Sequence, residues 1–122
     1  MHPFPVSIHP YFKAHPGKLD EIKALLPQFV KQSATEEKIL QYEFTLHGDE
    51  IFCRESYQDA AGVLAHLSNV GALLDKMLTM ADLIRIELHG PAGELEALKG
   101  PLANLDPAWF AVECGMEARS CS

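Results

Sequence analysis

His66, Tyr57, Tyr42 and Glu55 are the side chains whose types and spacing best suit proton chemistry. A histidine titrates near neutrality, so it can shuttle a proton or orient a substrate oxygen. After Asp59, a helix cap, the apolar residues Ala60, Val63, Leu64 and Leu67 follow the i, i+3, i+4, i+7 spacing of a helix. His66 lies roughly 110° round that helix from the centre of the Val63, Leu64, Leu67 stripe, taking about 100° per residue. This spacing predicts a histidine at the border of the buried face, within reach of a cavity yet near water. The competing reading is a histidine that bonds a backbone carbonyl and only fastens the helix.

Strand parity points Tyr42 and Tyr57 inward, where they either bind a planar ligand or serve as core aromatics with satisfied hydroxyls. Trp109 and Phe110 either close a rim of the same cavity or pack as anchors after Asp106-Pro107. Glu55 shares a strand face with Tyr57 and is costly to bury alone, so a structural ion pair or accepted hydrogen bonds are expected of it rather than general-base work. Arg54, on the other face, joins the charges of Glu43 and Arg85.

The motifs that announce nucleotide, zinc-hydrolase or serine-hydrolase chemistry, such as G-x-G-x-x-G, H-E-x-x-H and G-x-S-x-G, are missing from the sequence. The six histidines have no metal-ligand spacing, although His9 and His89 can meet on neighbouring strands, so no metal is expected. Cys53, Cys114 and Cys121 are odd in number and far apart, which supports neither a disulfide framework nor a zinc site. A net charge of −7 has the wrong sign for gripping phosphates, so nucleic acid and anionic membrane are not expected partners. No apolar run approaches the ~18 residues of a membrane span, and the start has no leader pattern, which reads as a cytoplasmic protein.

A chain of 122 residues, 48% apolar, suits one domain over 1–122, with a core at about 6–115 and a tail at 116–122. Val6, Ile8, Pro10 and Phe12 alternate with Ser7, His9, Tyr11 and Lys13 as a first strand, with Pro10 demanding an edge position or a bulge. Leu19, Ile22, Leu25, Leu26, Phe29 and Val30 predict a helix to about Gln32, bent or split at Pro27. Leu40 to Leu46 and Ile51 to Tyr57 form a hairpin about His47-Gly48-Asp49. The helix after Asp59 resumes past Ser68-Asn69 with Val70, Leu73, Leu74, Met77 and Leu78, as a bent helix or a helix pair. Leu83 to Leu88 is a fourth strand with Ile84, Ile86 and Leu88 on one face and Arg85, Glu87 and His89 on the other. A short helix in 93–98 and a strand-like segment at 109–114 follow. The order β-α-β-β-α-β predicts an α+β, ferredoxin-like sandwich with helices on one sheet face. The opposite, mixed face is then solvated or packed on a second copy, with charges paired across a two-fold axis.

The run from Glu36 to Ala72, EEKILQYEFTLHGDEIFCRESYQDAAGVLAHLSNVGA, resembles the antibiotic biosynthesis monooxygenase family of dimeric α/β barrels. The matching features are a Glu six residues before Tyr42, a turn, Glu55-x-Tyr57 where the family has Glu-x-Trp, and a histidine nine residues after that aromatic. Pro16-Gly17 before the first helix also matches. The resemblance implies a homodimer with facing sheets and a pocket between sheet and helices in each subunit. It implies monooxygenation of an aromatic, quinol or polyketide-like molecule without metal or flavin, the deprotonated substrate supplying electrons to oxygen. His66 would handle the proton or orient the substrate, Asn69 would be its polar neighbour, and Tyr42 and Tyr57 would be pocket walls. Tyr57 in place of Trp, and the missing Asn-Trp-His set of the haem-degrading branch, argue against haem. A non-catalytic dimeric ligand-binding or stress-response barrel is the alternative. Isomerase or decyclase chemistry would need an acid and a base facing one cavity, which the sequence does not place.

Overall fold

The computed structural model describes residues 4–117 and Arg119. The expected tail is therefore described only at Met116, Glu117 and Arg119, and Cys121 lies outside the described residues. The elements are β1 (Val6–Ala14), α1 (Leu19–Ser33), β2 (Ile39–His47), β3 (Glu50–Tyr57), α2 (Ala60–Asn69), α3 (Gly71–Met77), β4 (Ala81–Gly90), α4 (Ala92–Leu98) and β5 (Ala108–Ala111), with a 3-10 turn at Ala103–Leu105. The sheet order is β2-β3-β1-β4-β5, with β5 parallel to β4 and every other pairing antiparallel. This is the ferredoxin-like α+β fold that the element order predicts, extended by a fifth strand.

Alternation works as expected along β1: Val6, Ile8, Pro10, Phe12 and Ala14 are buried while the residues between them face the other side. Val6 and Ile8 pack with Tyr57, Val63, Leu88 and Leu95, whereas Phe12 and Ala14 pack with Ile22, Leu25, Phe29 and Met77. All four helices therefore cover one sheet face, α1 and α3 over one half and α2 and α4 over the other.

Pro10 does not place β1 at an edge, because β1 lies between β3 and β4. The bulge alternative is realised next door, where the ladder to β4 shifts register between Tyr11 and Phe12. Tyr11 faces Arg85 and Phe12 faces Leu83, so Ile84 has no partner in the ladder. The shift reverses the parity expected for β4 at that end. Leu83 packs on the core and Ile84 is exposed.

Pro27 does not split α1, which runs from Leu19 to Ser33 with the proline inside it. It lies on the exposed side of the helix, where water can satisfy the Lys23 carbonyl freed by the missing N–H. The second helical region is a pair, α2 then α3, breaking at Val70. Asp59 caps α2 as expected, its Oδ1 accepting from the Gly62 N–H at 2.9 Å. Gly62 also lets α2 press close: a Cβ there would stand 2.9 Å from the Lys38 Cβ and 3.2 Å from the Tyr57 Cβ. One turn further along, this close approach lays His66 over β3.

Candidate functional site

β3 carries Cys53, Glu55 and Tyr57 on its inward face, and its hairpin partner β2 adds Tyr42 opposite Glu55. α2 brings His66 down on this group, and the loop between α1 and β2 supplies Glu36. His66 is 2% exposed, so it sits within the buried face rather than at its border. The expected stripe counted Leu64 as inward, but Leu64 is exposed and the buried positions are Ala60, Gly62, Val63 and His66. Exchanging Leu64 for Gly62 rotates the buried stripe toward His66.

The ring is held by two carboxylates and no backbone carbonyl. Nδ1 is 2.8 Å from Glu36 Oε2, and Nε2 is 3.5 Å from Glu55 Oε1, the outer limit of a hydrogen bond. The Tyr42 and Tyr57 rings flank it, with centroids 5.1 Å and 5.2 Å away. Glu36 Oε2 also accepts from the Asn69 amide at 2.9 Å, and Asn69 is bound in turn by Gln32, whose Nε2 donates to its Oδ1 at 2.9 Å. A carboxylate at Nδ1 favours the tautomer with the proton on Nδ1, which leaves the Nε2 lone pair free to accept.

Glu55 is fully enclosed and its Oε1 accepts from the Tyr57 hydroxyl at 2.7 Å. Burial pushes its carboxyl above the ordinary range; His66, the Tyr57 hydroxyl and the Cys53 thiol pull it back only in part, and Glu36 adds to the rise. Glu55 therefore loses its proton at higher pH than an exposed glutamate does. Burial, with the Glu55 charge next to it, pushes the Tyr57 hydroxyl and the Cys53 thiol far up, so Cys53 is no thiolate nucleophile. Tyr42 is likewise pushed up, by burial first and then by Cys53 and Glu55. A raised carboxyl beside an imidazole brings an acid and a base to one space.

That space is a pocket of about 60 Å³ between sheet and helices, open to the surface at its mouth. Tyr42, Cys53, Glu55 and His66 line one end, and the rest is apolar, from Phe12 and Phe29 to Ile86 and Leu105. Of the expected site residues, His66 and Tyr42 line the pocket. Tyr57 stands behind Glu55, and Asn69 behind Glu36. Trp109 does not reach it; on β5 it packs against the cluster of Val6, Leu88 and Leu98. Glu55 accepts the Tyr57 hydroxyl hydrogen bond and lies 3.5 Å from His66 Nε2, the accepted bond and the pairing expected of a buried glutamate on this strand. Glu36 and Gln32 are the residues that periodicity misses, because a loop glutamate carries no repeat. Only the position of Glu36 six residues before Tyr42 marked it.

No family profile and no curated protein matches the chain. Among solved structures it is 35% identical to MupZ from Pseudomonas fluorescens, covering 97% of this chain and 98% of that one, with a TM-score of 0.91. An antibiotic biosynthesis monooxygenase superposes with a TM-score of 0.63 at 15% identity, over 68% of this chain and 94% of its own. Rv0793 from Mycobacterium tuberculosis does so at 0.62 and 18%, over 69% and 91%. These two likenesses show the shared fold. The identity to MupZ over nearly the full length of both chains goes further: the chain belongs to the MupZ family, on the ferredoxin-like fold of the antibiotic biosynthesis monooxygenase type.

Proposed function

We propose that this chain is a cofactor-independent enzyme that moves protons on an oxygen function of a largely apolar small molecule, its reaction being monooxygenation of an aromatic, quinol or polyketide-like substrate. The observation that carries the reading is His66 held between two buried carboxylates at the closed end of an apolar pocket. For a phenol, His66 Nε2 takes the hydroxyl proton, and the resulting anion passes its electrons to dioxygen as a ring carbon bonds to one oxygen atom. His66 returns its proton to the far peroxide oxygen. Glu55 protonates that oxygen as the O–O bond breaks, water leaves, and Glu55 recovers the proton lost from the ring carbon. Phenol and dioxygen become quinone and water, the ring losing four electrons and dioxygen gaining four. The protein contributes orientation, dryness and the two proton sites.

Oxygen uptake with a panel of naphthols and hydroquinones tests this, with one dioxygen consumed per product expected. A second reading, proton-driven opening or isomerisation of an oxygen-containing ring, is favoured by the raised Glu55 carboxyl standing beside His66. Conversion that persists under nitrogen would select it. Saturable binding with no product under either atmosphere would select the non-catalytic alternative instead.

The same proposal places the working protein in the cytoplasm as a homodimer. Cys53 and Cys114 are free thiols, which suits a reducing compartment, and no helix among the described residues is long and apolar enough to cross a membrane. The uncovered sheet face carries Tyr11 and Phe52 in ring contact and exposed Phe110. Light scattering at micromolar concentration should give twice the 13.5 kDa chain mass, and a single-chain mass would overturn the dimer.

A further inference from the structure

The pocket is polar at one end only, and this deepens the reading just proposed, on which it rests, by restricting what can enter. The hydrogen-bonding side chains of the lining are Tyr42, Cys53, Glu55 and His66, all at the closed end. From there to Leu78, which is exposed at the surface, the walls are apolar, with no lysine, arginine, serine, threonine, asparagine or glutamine among them. Lys38 pairs with Asp59 at 2.7 Å, and Arg54 with Glu43 at 2.8 Å on the far sheet face. Behind His66 stands a further carboxyl group, that of Glu36.

We infer that the pocket selects an uncharged molecule with one hydrogen-bonding oxygen at its leading end and an apolar body behind it. An anion entering this pocket would shed its water and find no lysine or arginine in the lining to replace it. A second hydroxyl at the trailing end would be stripped of water against leucine and isoleucine with nothing to bond, which weakens binding by about tenfold or more. A hydroxyl at the leading end meets Glu55 as donor and His66 Nε2 as acceptor, and so keeps both of its hydrogen bonds. Within the aromatic class, the inference favours monohydric rings over hydroquinones whose oxygens stand at opposite ends.

Three probes of equal skeleton test it on the unmodified protein by titration calorimetry: 1-naphthol, 1,5-dihydroxynaphthalene and 5-hydroxynaphthalene-1-sulfonate. The expected order is 1-naphthol first, the diol at least about tenfold weaker, and the sulfonate weakest. A gap under tenfold between 1-naphthol and either of the others, or no binding of 1-naphthol, overturns the inference. Leu105→Gln, which places an amide in the apolar wall, should narrow the gap between diol and 1-naphthol. The readout is binding, so its failure is separable from that of the enzymatic reading. Tight 1-naphthol binding without turnover sinks the reaction and leaves the selectivity standing, whereas oxygen uptake with diols that bind as well as 1-naphthol does the reverse.

Discussion

The two faces of the sheet each hold histidines and glutamates among aromatic rings, and they put these residues to opposite use. On the covered face, Glu36, Glu55 and His66 sit in a dry layer beside Tyr42 and Tyr57. On the open face, His89 bonds Glu87 at 2.9 Å and stacks on Phe110 at 4.5 Å, while His9 bonds Ser7 at 2.8 Å and meets the His89 ring at 4.5 Å. Glu87 also accepts from Arg85. Bonds from His89 and Arg85 pull the Glu87 carboxyl down, whereas burial pushes Glu55 up. Burial, and the nearby charge of His89, push His9 down. Residue type alone therefore does not distinguish a reactive cluster from a surface one. The difference lies in whether a carboxylate is desolvated without a cation to compensate it.

The largest effect that would break this contrast is on turnover. His66→Gln should lower kcat/KM by about 10²- to 10⁴-fold, the range for a lost general acid–base group, with His89→Gln within twofold of the unaltered protein. Equal losses at the two positions would erase the distinction between faces. Glu36→Gln should lower kcat by about 10- to 100-fold with KM little changed, because it removes the charge that orients the imidazole without touching the pocket wall. Asn69→Ala acts one bond further back. It removes one donor to Glu36, worth about 1 kcal/mol, so a roughly fivefold fall in kcat is expected, and a fall as large as that of Glu36→Gln would mean that Asn69 does more than hold the carboxylate.

The two faces were also unequally legible in the sequence. Alternation along β1, the hairpin turn and the Asp59 cap are local patterns, and each is realised in the fold. His66, Tyr42, Tyr57 and Glu55 were visible as a group because two strands of one hairpin and one helix carry them at regular spacing. The exposure of Ile84 was not visible, since the bulge that reverses β4 arises in the pairing with Tyr11 and Phe12 and leaves no mark in the β4 residues themselves. The depth of His66 was missed for a related reason. Helical periodicity ranks Leu64 above Gly62 as a buried position, but the close approach of α2 to Tyr57 requires the smaller residue. Glu36 reaches the site through a loop, where no period exists to read. Local patterns thus defined the elements, while the chemistry of the site depends on how closely those elements approach.

The smallest effect concerns stability against pH, and the two faces should differ in its sign. Glu55 is raised above its ordinary value of 4.5, so the folded protein holds a proton that the unfolded chain has already released. Its contribution is complete below that value and is lost as pH rises toward the folded value, with a slope of at most about 1.4 kcal/mol per pH unit. Glu87 is lowered, so its contribution is present above 4.5 and is lost as pH falls through its folded value. Its effect is the weaker of the two, since its partners Arg85 and His89 are well exposed in the single chain. Urea unfolding across the acid and neutral range should show Glu55→Gln flattening the decline on the alkaline side of 4.5 and Glu87→Gln flattening the decline on the acid side. His66, Glu36, Tyr57 and Cys53 all face Glu55, so the variant also needs comparison with His66→Gln, in which the raised carboxyl persists without its imidazole neighbour. If Glu55→Gln keeps the alkaline slope of the unaltered protein, Glu55 is charged in the fold. The covered face would then hold a second carboxylate in place of an acid, and the two clusters would differ in burial alone.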